Sequence, residues 1–515
     1  MSKINLSTAK QSNSLKIILT CFFIAVAFVA VGSKSSFIYP INDWGDANAY
    51  ITVARMMLKG KVLYADIFEQ KGLYHYLLHI PATLISYPGF FGVYLLETLA
   101  LTFFLFFAYK SMALYLPSGL IPPTLAILAF ITTFSPAFAH GDSAEELMLP
   151  FLAYSLYKLL QWSRNEDADL PAGAWIFQGI ATAVIFWTKY TLLSFHIGFC
   201  LAILIVSVCS RDWKGLFRKV ALWVLGIILG SLPLLFYCGL THSFADMFAV
   251  YIRSNAVTYA QTHNQFNEQL AQHFNRGIIF HIGRFLFGLG SNPLITGMAL
   301  VGFLRLGWAR KNPQRRLRLA VRCIYGSMLG ILIALPFVFN YYFLPLVILS
   351  ILGIISLLRW VPDSVRAGIN RKKSLAATIL ILAFLIPFSL ASGRHSYLLL
   401  YGREDLPQYK FRKIIRQTPD PTLMIHATMD HGFQNVAEIV PDDKYFIGTN
   451  TIVPERVRIW RETIMAGKVD YIITNNQELE PLYPGLPYDL VEAIPHPYEK
   501  QVFVYRLYRR KTLPH

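Results

Sequence analysis

Apolar residues along this chain gather into runs of membrane-spanning length rather than into the short alternations of a water-soluble fold. Such runs lie at 15–33, 88–109, 120–139, 147–161, 174–188, 190–209, 219–239, 293–308, 319–338, 342–358 and 374–391. About 20 apolar residues in a helix cross the hydrocarbon core. The pattern therefore predicts an α-helical polytopic membrane protein with about eleven transmembrane helices. The pieces at 147–161 and 174–188 are short and are expected to tilt, to be partly submerged or to merge with a neighbour. Two long polar connections interrupt the series, at 34–87 and 240–292.

From Arg394 onward no run of span length remains, and Pro, Asp, Glu and Asn return. LMIHA at 423–427, KYFIG at 444–448, DYIIT at 470–474 and QVFVYRLY at 501–508 read as strands. Segments 407–417 and 454–466 read as helices, the second with Pro454 at its start. The chain thus divides into a transmembrane core, 1–391, and a small C-terminal α/β domain, 392–515. That domain lacks a glycine-rich phosphate loop, a zinc-ligand spacing and a nucleophile elbow, so its expected role is to cover a site or bind a partner.

Composition agrees with the pattern and excludes a soluble globule: 55% of the 515 residues are hydrophobic and 15% charged, with a mean hydropathy of +0.44. The net charge of +17 is read as topology and not as nucleic-acid binding, because the basic residues cluster beside span ends. Lys3, Lys10 and Lys16, then Arg211, Lys214, Arg218 and Lys219, then Arg310, Lys311, Arg315, Arg316 and Arg318, then Arg366, Arg371, Lys372 and Lys373 all fall on one side if the N-terminus is cytoplasmic. The first apolar run lacks a small-residue cleavage site and is expected to be a retained helix. The loop 34–87, the turn 139–146, the loop 240–292 and the C-terminal domain then face the extracytoplasmic space. Cys21, Cys200, Cys209, Cys238 and Cys323 lie in or beside apolar runs and read as small buried residues.

The first outer loop carries acids, bases and aromatics together: DWGDANAYITVARMMLKGKVLYADIFEQKGLYHY, from Asp43 to Tyr76. A helix is predicted from Asp46 to Gly60, with Ile51, Ala54 and Leu58 on one face. Asp46 or Asp43 either caps this helix or accepts a proton from a substrate hydroxyl, and one carboxylate can do both. Lys71, at headgroup depth, pairs with a lipid phosphate or snorkels to water. His75 and His79 are four apart but have no clear third ligand, and interfacial packing is favoured over a metal site.

The run GDANAY followed by GKVLYADIFEQKG, after a first transmembrane helix, resembles the first outer loop of the GT-C membrane glycosyltransferases. The likeness is to the branch related to protein O-mannosyltransferases and aminoarabinose-lipid A transferases. The resemblance implies a catalytic base at Asp46, with Asp43 as a nearby alternative. It also implies contact between Lys71 and the phosphate of a polyprenyl-phosphate sugar donor. This chain reads Lys71-Gly72-Leu73 where many relatives carry a lysine followed by proline.

Other positions extend that expectation. In GDSAEELMLPF, Ser143 and Glu146 have the spacing of a capping box, while Asp142, Glu145 and Glu146 are candidates for sugar or acceptor hydroxyls, as is Tyr50 in the first loop. Lys189 lies between two apolar stretches and needs a partner, either a donor phosphate or a carboxylate. The loop 240–292 carries Arg253, Tyr259, Asn264, Gln265, His273, Arg276 and Arg284, and is a candidate gate with Arg253, Arg276 or Arg284 reaching the leaving phosphate. Asn340, Tyr341 and Tyr342 read as an aromatic belt.

Glycosyl transfer from a lipid phosphate needs a base, cations and a groove for the lipid tail. The expected reaction has Asp46 taking the acceptor proton and Lys71, with Lys189 or a loop Arg, stabilising the departing polyprenyl phosphate, and the resemblance implies inversion at the anomeric centre. The acceptor is a lipid, glycan or protein. No metal is required, with Mg²⁺ or Mn²⁺ held by Asp43 and Asp46 as the alternative. The rival readings are a polymerase or ligase of lipid-linked glycans, a transporter, and a non-catalytic scaffold. A transporter would show internal repeats and midplane ionisable residues, whereas the polar groups here cluster at span ends.

Overall fold

The computed structural model describes residues 2–164, 169–258, 277–308, 315–335, 339–362, 364, 368–449, 453–498 and 501–512, with side chains from residue 14 onward in the first helix and from residue 281 onward in the helix that begins at Gly277. The chain forms two compact units. One comprises Met1–Ser33, Leu96–Leu235 and Ala271–Gly393, and the other Lys34–Leu95, Phe236–Leu270 and Arg394–His515.

Among the described residues, seven helices are long and apolar enough to cross a bilayer: Ser14–Gly32, Phe91–Met112, Tyr190–Ser210, Trp213–Leu240, Arg315–Ala334, Asn340–Leu358 and Arg371–Ser392. An eighth arises if His281–Ser291 and Pro293–Trp308, bent by 97°, form one broken span. The other predicted runs are also helical but do not meet that test. Ser118–Phe134 and Ala172–Phe186 are too short, and Ala144–Arg164 carries Glu145, Glu146 and Arg164 with Pro150 inside. The run expected to reach residue 139 stops at Phe134 because Ser135, preceding Pro136, is extended. The expected loop 240–292 contains the helix Gly277–Ser291, whose His281 and Arg284 masked its apolar character.

In the first unit, glycines allow backbones to touch where lipid gives no hydrophobic drive between helices. A Cβ on Gly179 would lie 2.0 Å from the Trp223 carbonyl, and one on Gly226 1.9 Å from the Ile176 carbonyl. The indoles flanking this crossing are satisfied across it: Trp223 Nε1 donates to Thr182 Oγ1 at 3.0 Å, and Trp187 Nε1 to Ser231 Oγ at 2.8 Å.

In the second unit a four-stranded sheet runs in the order β1 (Leu423–Ile425), β2 (Tyr471–Asn475), β4 (Gln501–Arg510), β3 (Tyr488–Tyr498). The β1–β2 pair is parallel and the other two antiparallel. Side chains alternate between faces. Leu423, Ile425, Tyr471 and Ile473 pack with Phe411 and Ile415 of the helix Pro407–Ile415. Met424 and Ile472 pack with Trp460 and Ile464 of the helix Pro454–Met465. The expected strand 444–448 is a turn instead. Its backbone is engaged elsewhere: Trp460 Nε1 donates to the Tyr445 carbonyl at 2.8 Å, and the Phe68 and Gly448 amides bond to Lys444 and Thr428 carbonyls. Strand β3 has no counterpart in the sequence reading because Pro495 and Pro497 interrupt it, which a sheet tolerates at an edge.

The glycine crossing makes a direct prediction. Gly226→Ala should lower the thermal stability of the detergent-purified protein by about 1–3 kcal/mol through overpacking, whereas Gly173→Ala, where a Cβ meets nothing within 4 Å, should leave it unchanged.

Candidate active site

The segment that follows the first helix begins with a sealed ion pair. Lys34 Nζ lies 2.6 Å from Asp43 Oδ1, the two side chains being 0% and 2% exposed, with the Tyr498 ring 5.0 Å from the ammonium. A network around Asn42 extends from it. Asn42 Nδ2 donates to Ser35 Oγ at 2.9 Å, Asn42 Oδ1 accepts the Trp44 amide at 3.0 Å, and Asn48 Nδ2 donates to the Asn42 carbonyl at 2.8 Å. These bonds set the start of the helix Gly45–Leu58, whose N-cap is Trp44 and has no side-chain cap. The capping expectation for Asp43 or Asp46 is thereby corrected: Asn42 organises this helix start, Asp43 is spent on Lys34, and Asp46 sits within the first turn.

Asp46 is where the polar groups of this unit meet. Tyr50 Oη, one turn on, donates to Asp46 Oδ2 at 3.2 Å. Lys71 Nζ lies 4.0 Å from the same oxygen, the Lys71 and Asp46 side chains being 16% and 18% exposed, and 5.3 Å from the Tyr50 ring centroid. The loop bearing Lys71 is held at several points. Its amide donates to Glu69 Oε2 at 3.0 Å, its carbonyl accepts from Tyr64 Oη at 3.1 Å, and the Gln70 carbonyl accepts from Asn255 Nδ2 at 2.7 Å. Tyr76 Oη also donates to Glu69 Oε2. Burial pushes the Glu69 carboxyl above its usual range against the pull of the Lys71 ammonium and amide, and the Asp46 charge raises it further. His75 and His79 pack on Tyr50, with ring centroids 4.1 and 5.3 Å away, and His79 Nδ1 bonds to the His75 carbonyl at 2.7 Å. Among the described residues no three His, Cys, Asp or Glu side chains are placed to hold a metal ion together.

The first unit holds a separate acidic cluster. Glu97, buried in the helix Phe91–Met112, accepts from Ser33 Oγ at 2.8 Å and from the Asp142 amide at 2.8 Å. The turn over it is strained: Ala139 and Asp142 have φ of 56° and 59°, and Gly141, at φ 84°, would bring a Cβ within 2.2 Å of Glu97 Oε1. Half of the expected capping box forms, the Glu146 amide donating to Ser143 Oγ at 3.1 Å. The Glu146 carboxyl does not complete the box. It lies buried against Glu97 and Asp142. Lys189 Nζ meets Glu145 Oε1 at 2.5 Å and lies 3.9 Å from the Tyr342 ring centroid and 4.9 Å from that of Tyr341, so its partner in this structure is the carboxylate alternative.

The structure therefore brings Asp46, Tyr50 and Lys71 together, and separately Asp142 with Glu146 and Glu145 with Lys189. Arg253 is exposed on the segment Phe248–Thr258, which Asn255 ties to the Lys71 loop. Arg284 is half-buried in the helix Gly277–Ser291. Arg276, like Tyr259, Asn264, Gln265 and His273, lies outside the described residues. Lys34, Glu69 and Glu97 were missed by sequence reasoning. Glu97 carried a usable signal, a single acid in the apolar run FGVYLLETLALTFF, whereas Lys34 and Glu69 resembled ordinary loop residues.

A family model for the competence-induced Ccs4 N-terminal domain matches residues 4–358. No curated protein sequence matches the chain. Two crystal structures of ArnT from Cupriavidus metallidurans are similar in fold. The form bound to undecaprenyl phosphate is 14% identical, with a TM-score of 0.57, and the apo form is also 14% identical, with a TM-score of 0.59. Each match covers 97% of this chain and 98% of ArnT. The chain thus shares the fold of ArnT over nearly its whole length, as the resemblance in its first long loop implied.

Two predictions follow from the geometry of the second unit. Lys34→Met should cost about 3–5 kcal/mol by removing the ammonium from the buried Asp43 charge, and Lys34→Met/Asp43→Leu should recover much of that loss in thermal melts. For Glu69, the folded state binds more protons than the unfolded state between the ordinary carboxyl pKa and its raised value. Its contribution to stability therefore falls as pH rises through that interval. Glu69→Gln should flatten the corresponding slope in a pH series of melting temperatures, and an unchanged slope would remove Glu69 as its source.

Proposed function

We propose that this chain, which belongs to the competence-induced Ccs4 N-terminal domain family, is an integral-membrane glycosyltransferase. In this reading it moves a sugar from a polyprenyl-phosphate donor to an acceptor hydroxyl on the extracytoplasmic side. The observation that carries the reading is the 4.0 Å approach of the Lys71 ammonium to the Asp46 carboxylate, both partly reachable from solvent. One such pair provides a proton acceptor and a positive charge within reach of one small substrate.

Asp46 accepts the proton of the acceptor hydroxyl as that oxygen attacks the anomeric carbon. Tyr50, bonded to Oδ2, holds the carboxylate in one rotamer, which keeps the base positioned before substrate arrives. Lys71 stabilises the negative charge that develops on the leaving polyprenyl phosphate. At 4.0 Å its contact with Asp46 is loose, and a phosphate that accepts short charge-assisted bonds is a stronger partner. Glu69 and Tyr64 hold the Lys71 backbone from either side, which limits the entropy lost when the ammonium engages. The ammonium supplies the positive charge that the leaving group needs. Asp43 is not assigned the base role, because its carboxylate is sealed against Lys34. Displacement from the face opposite the phosphate inverts the anomeric centre. The undecaprenyl phosphate bound in the ArnT structure supports a lipid-phosphate donor here.

The test is transfer from radiolabelled polyprenyl-phosphate sugars in membranes containing the full chain. Asp46→Asn should lower turnover by roughly 10²-fold or more, and retained transfer at normal protein levels would remove the proposed base. Lys71→Ala should lower kcat/KM for the donor by about 1.5–3 kcal/mol, and an unchanged value would return Lys71 to a lysine that merely reaches water.

A further inference from the structure

A second polar feature lies in the first unit, in the basic loops that the sequence reading used only for orientation. A cavity of about 530 Å³ separates the C-terminal end of the helix Ser194–Ser210 from the N-terminal end of the helix Arg315–Ala334. Every charged side chain lining it among the described residues is an arginine: Arg315, Arg316, Arg318 and Arg322. Positive-inside topology requires basic residues near a span end, but it does not require four guanidiniums to converge on one concavity.

Three physical features distinguish the cavity from a solvated basic loop. Arg315, Arg318 and Arg322 follow an i, i+3, i+7 spacing and form one stripe along the helix. The helix opens with no acidic residue in its first turn, so its positive dipole end adds to the arginine charge and makes an anion the favoured occupant. Two of the guanidiniums are held in place: Arg322 Nε donates to the Gly307 carbonyl at 2.8 Å, and Arg316 lies 5.8 Å from the Trp162 ring centroid.

The walls decide which anion. Ile205 and Val206 line the cavity from the facing helix. Ile205 also continues a stripe of exposed apolar residues, Leu201, Leu204 and Val208, on the helix surface. The two helices touch at Gly198, where a Cβ would sit 2.6 Å from Ile324 Cα, and the cavity lies beyond that contact. A ligand that fits carries anionic charge at one end and hydrocarbon at the other. We propose that this cavity binds the phosphate headgroup of an anionic membrane phospholipid, its acyl chains lying along the apolar stripe of the helix Ser194–Ser210. The site lies at the end of the bundle that the basic loops assign to the cytoplasm, and it stands whether or not the Asp46 reading of catalysis holds.

The full chain, purified in neutral detergent, is titrated with phosphatidylglycerol or phosphatidylcholine, and native mass spectrometry reads the bound fraction. Phosphatidylglycerol should bind at least tenfold more tightly, each arginine near an anionic headgroup contributing a severalfold factor. Arg315→Gln/Arg318→Gln should cut that preference by about tenfold or more. Arg315→Lys/Arg318→Lys should retain most of it, which separates loss of charge from loss of fold. Lys214→Gln/Arg218→Gln removes the same charge from exposed positions outside the cavity and should leave the preference intact. Equal binding of the two lipids, an intact preference in the Arg315/Arg318 glutamine variant, or an equal loss in the Lys214/Arg218 variant would overturn the proposal. Arginine-dependent displacement of phosphatidylglycerol by millimolar inorganic phosphate would overturn the assignment to a lipid.

Discussion

The buried pair of Lys34 with Asp43 is the constraint from which the segment after the first helix is built. A carboxylate and an ammonium removed from water are tolerable only in contact and with their surroundings arranged around them. The surroundings here are an asparagine that bonds forward to Trp44 and back to Ser35, and a second asparagine, Asn48, that bonds to Asn42 from the next helical turn. That arrangement decides where the helix Gly45–Leu58 begins, and Asp46 lies in its first turn. The same segment packs Gly45 against Met429 of the C-terminal domain, where a Cβ would approach Met429 Cβ to 2.5 Å. The accessible acid is thus held by an inaccessible one three residues away.

A comparable economy governs the first unit. Hydrocarbon offers no solvent to a stray polar group, so a buried charge gains most from a partner or a turn. Glu97 illustrates the point, serving as acceptor for Ser33 and for the amide of Asp142. The left-handed residues Ala139 and Asp142 close the turn tightly over it, a strained conformation that persists only where neighbouring contacts determine it. Lys189 and Glu145 neutralise each other beside the Tyr341 and Tyr342 rings. The arginine cavity at the other set of helix ends differs, since the charged groups that line it among the described residues all carry one sign.

Much of the architecture was legible in the order of apolar and polar residues. Each of the eleven predicted runs overlaps a helix, because the period and length of apolar residues report a local property of the chain. Where the reading failed, a non-local contact was responsible. KYFIG has strand composition, yet its carbonyls are taken by Phe68 and Trp460, which are distant in sequence. Strand β3 has unfavourable composition, yet a free sheet edge accepts its prolines. The likeness read in GDANAY and GKVLYADIFEQKG agrees with a fold shared with ArnT over 97% of the chain.

The sequence by itself determined that this is a polytopic helical membrane protein with a small α/β domain after the last span, because hydropathy and side-chain period are set by neighbours along the chain. It also marked Asp46 and Lys71 as residues with chemistry to offer. Only the tertiary structure decided which acid is sealed and which is reachable, since Asp43 and Asp46 differ in partner and burial rather than in type. It alone placed Lys71 4.0 Å from Asp46, 25 positions earlier in the chain, and matched Lys189 with Glu145 and Glu97 with the 139–142 turn. Such pairings depend on how helices far apart in sequence pack, and no local pattern of residues encodes that distance.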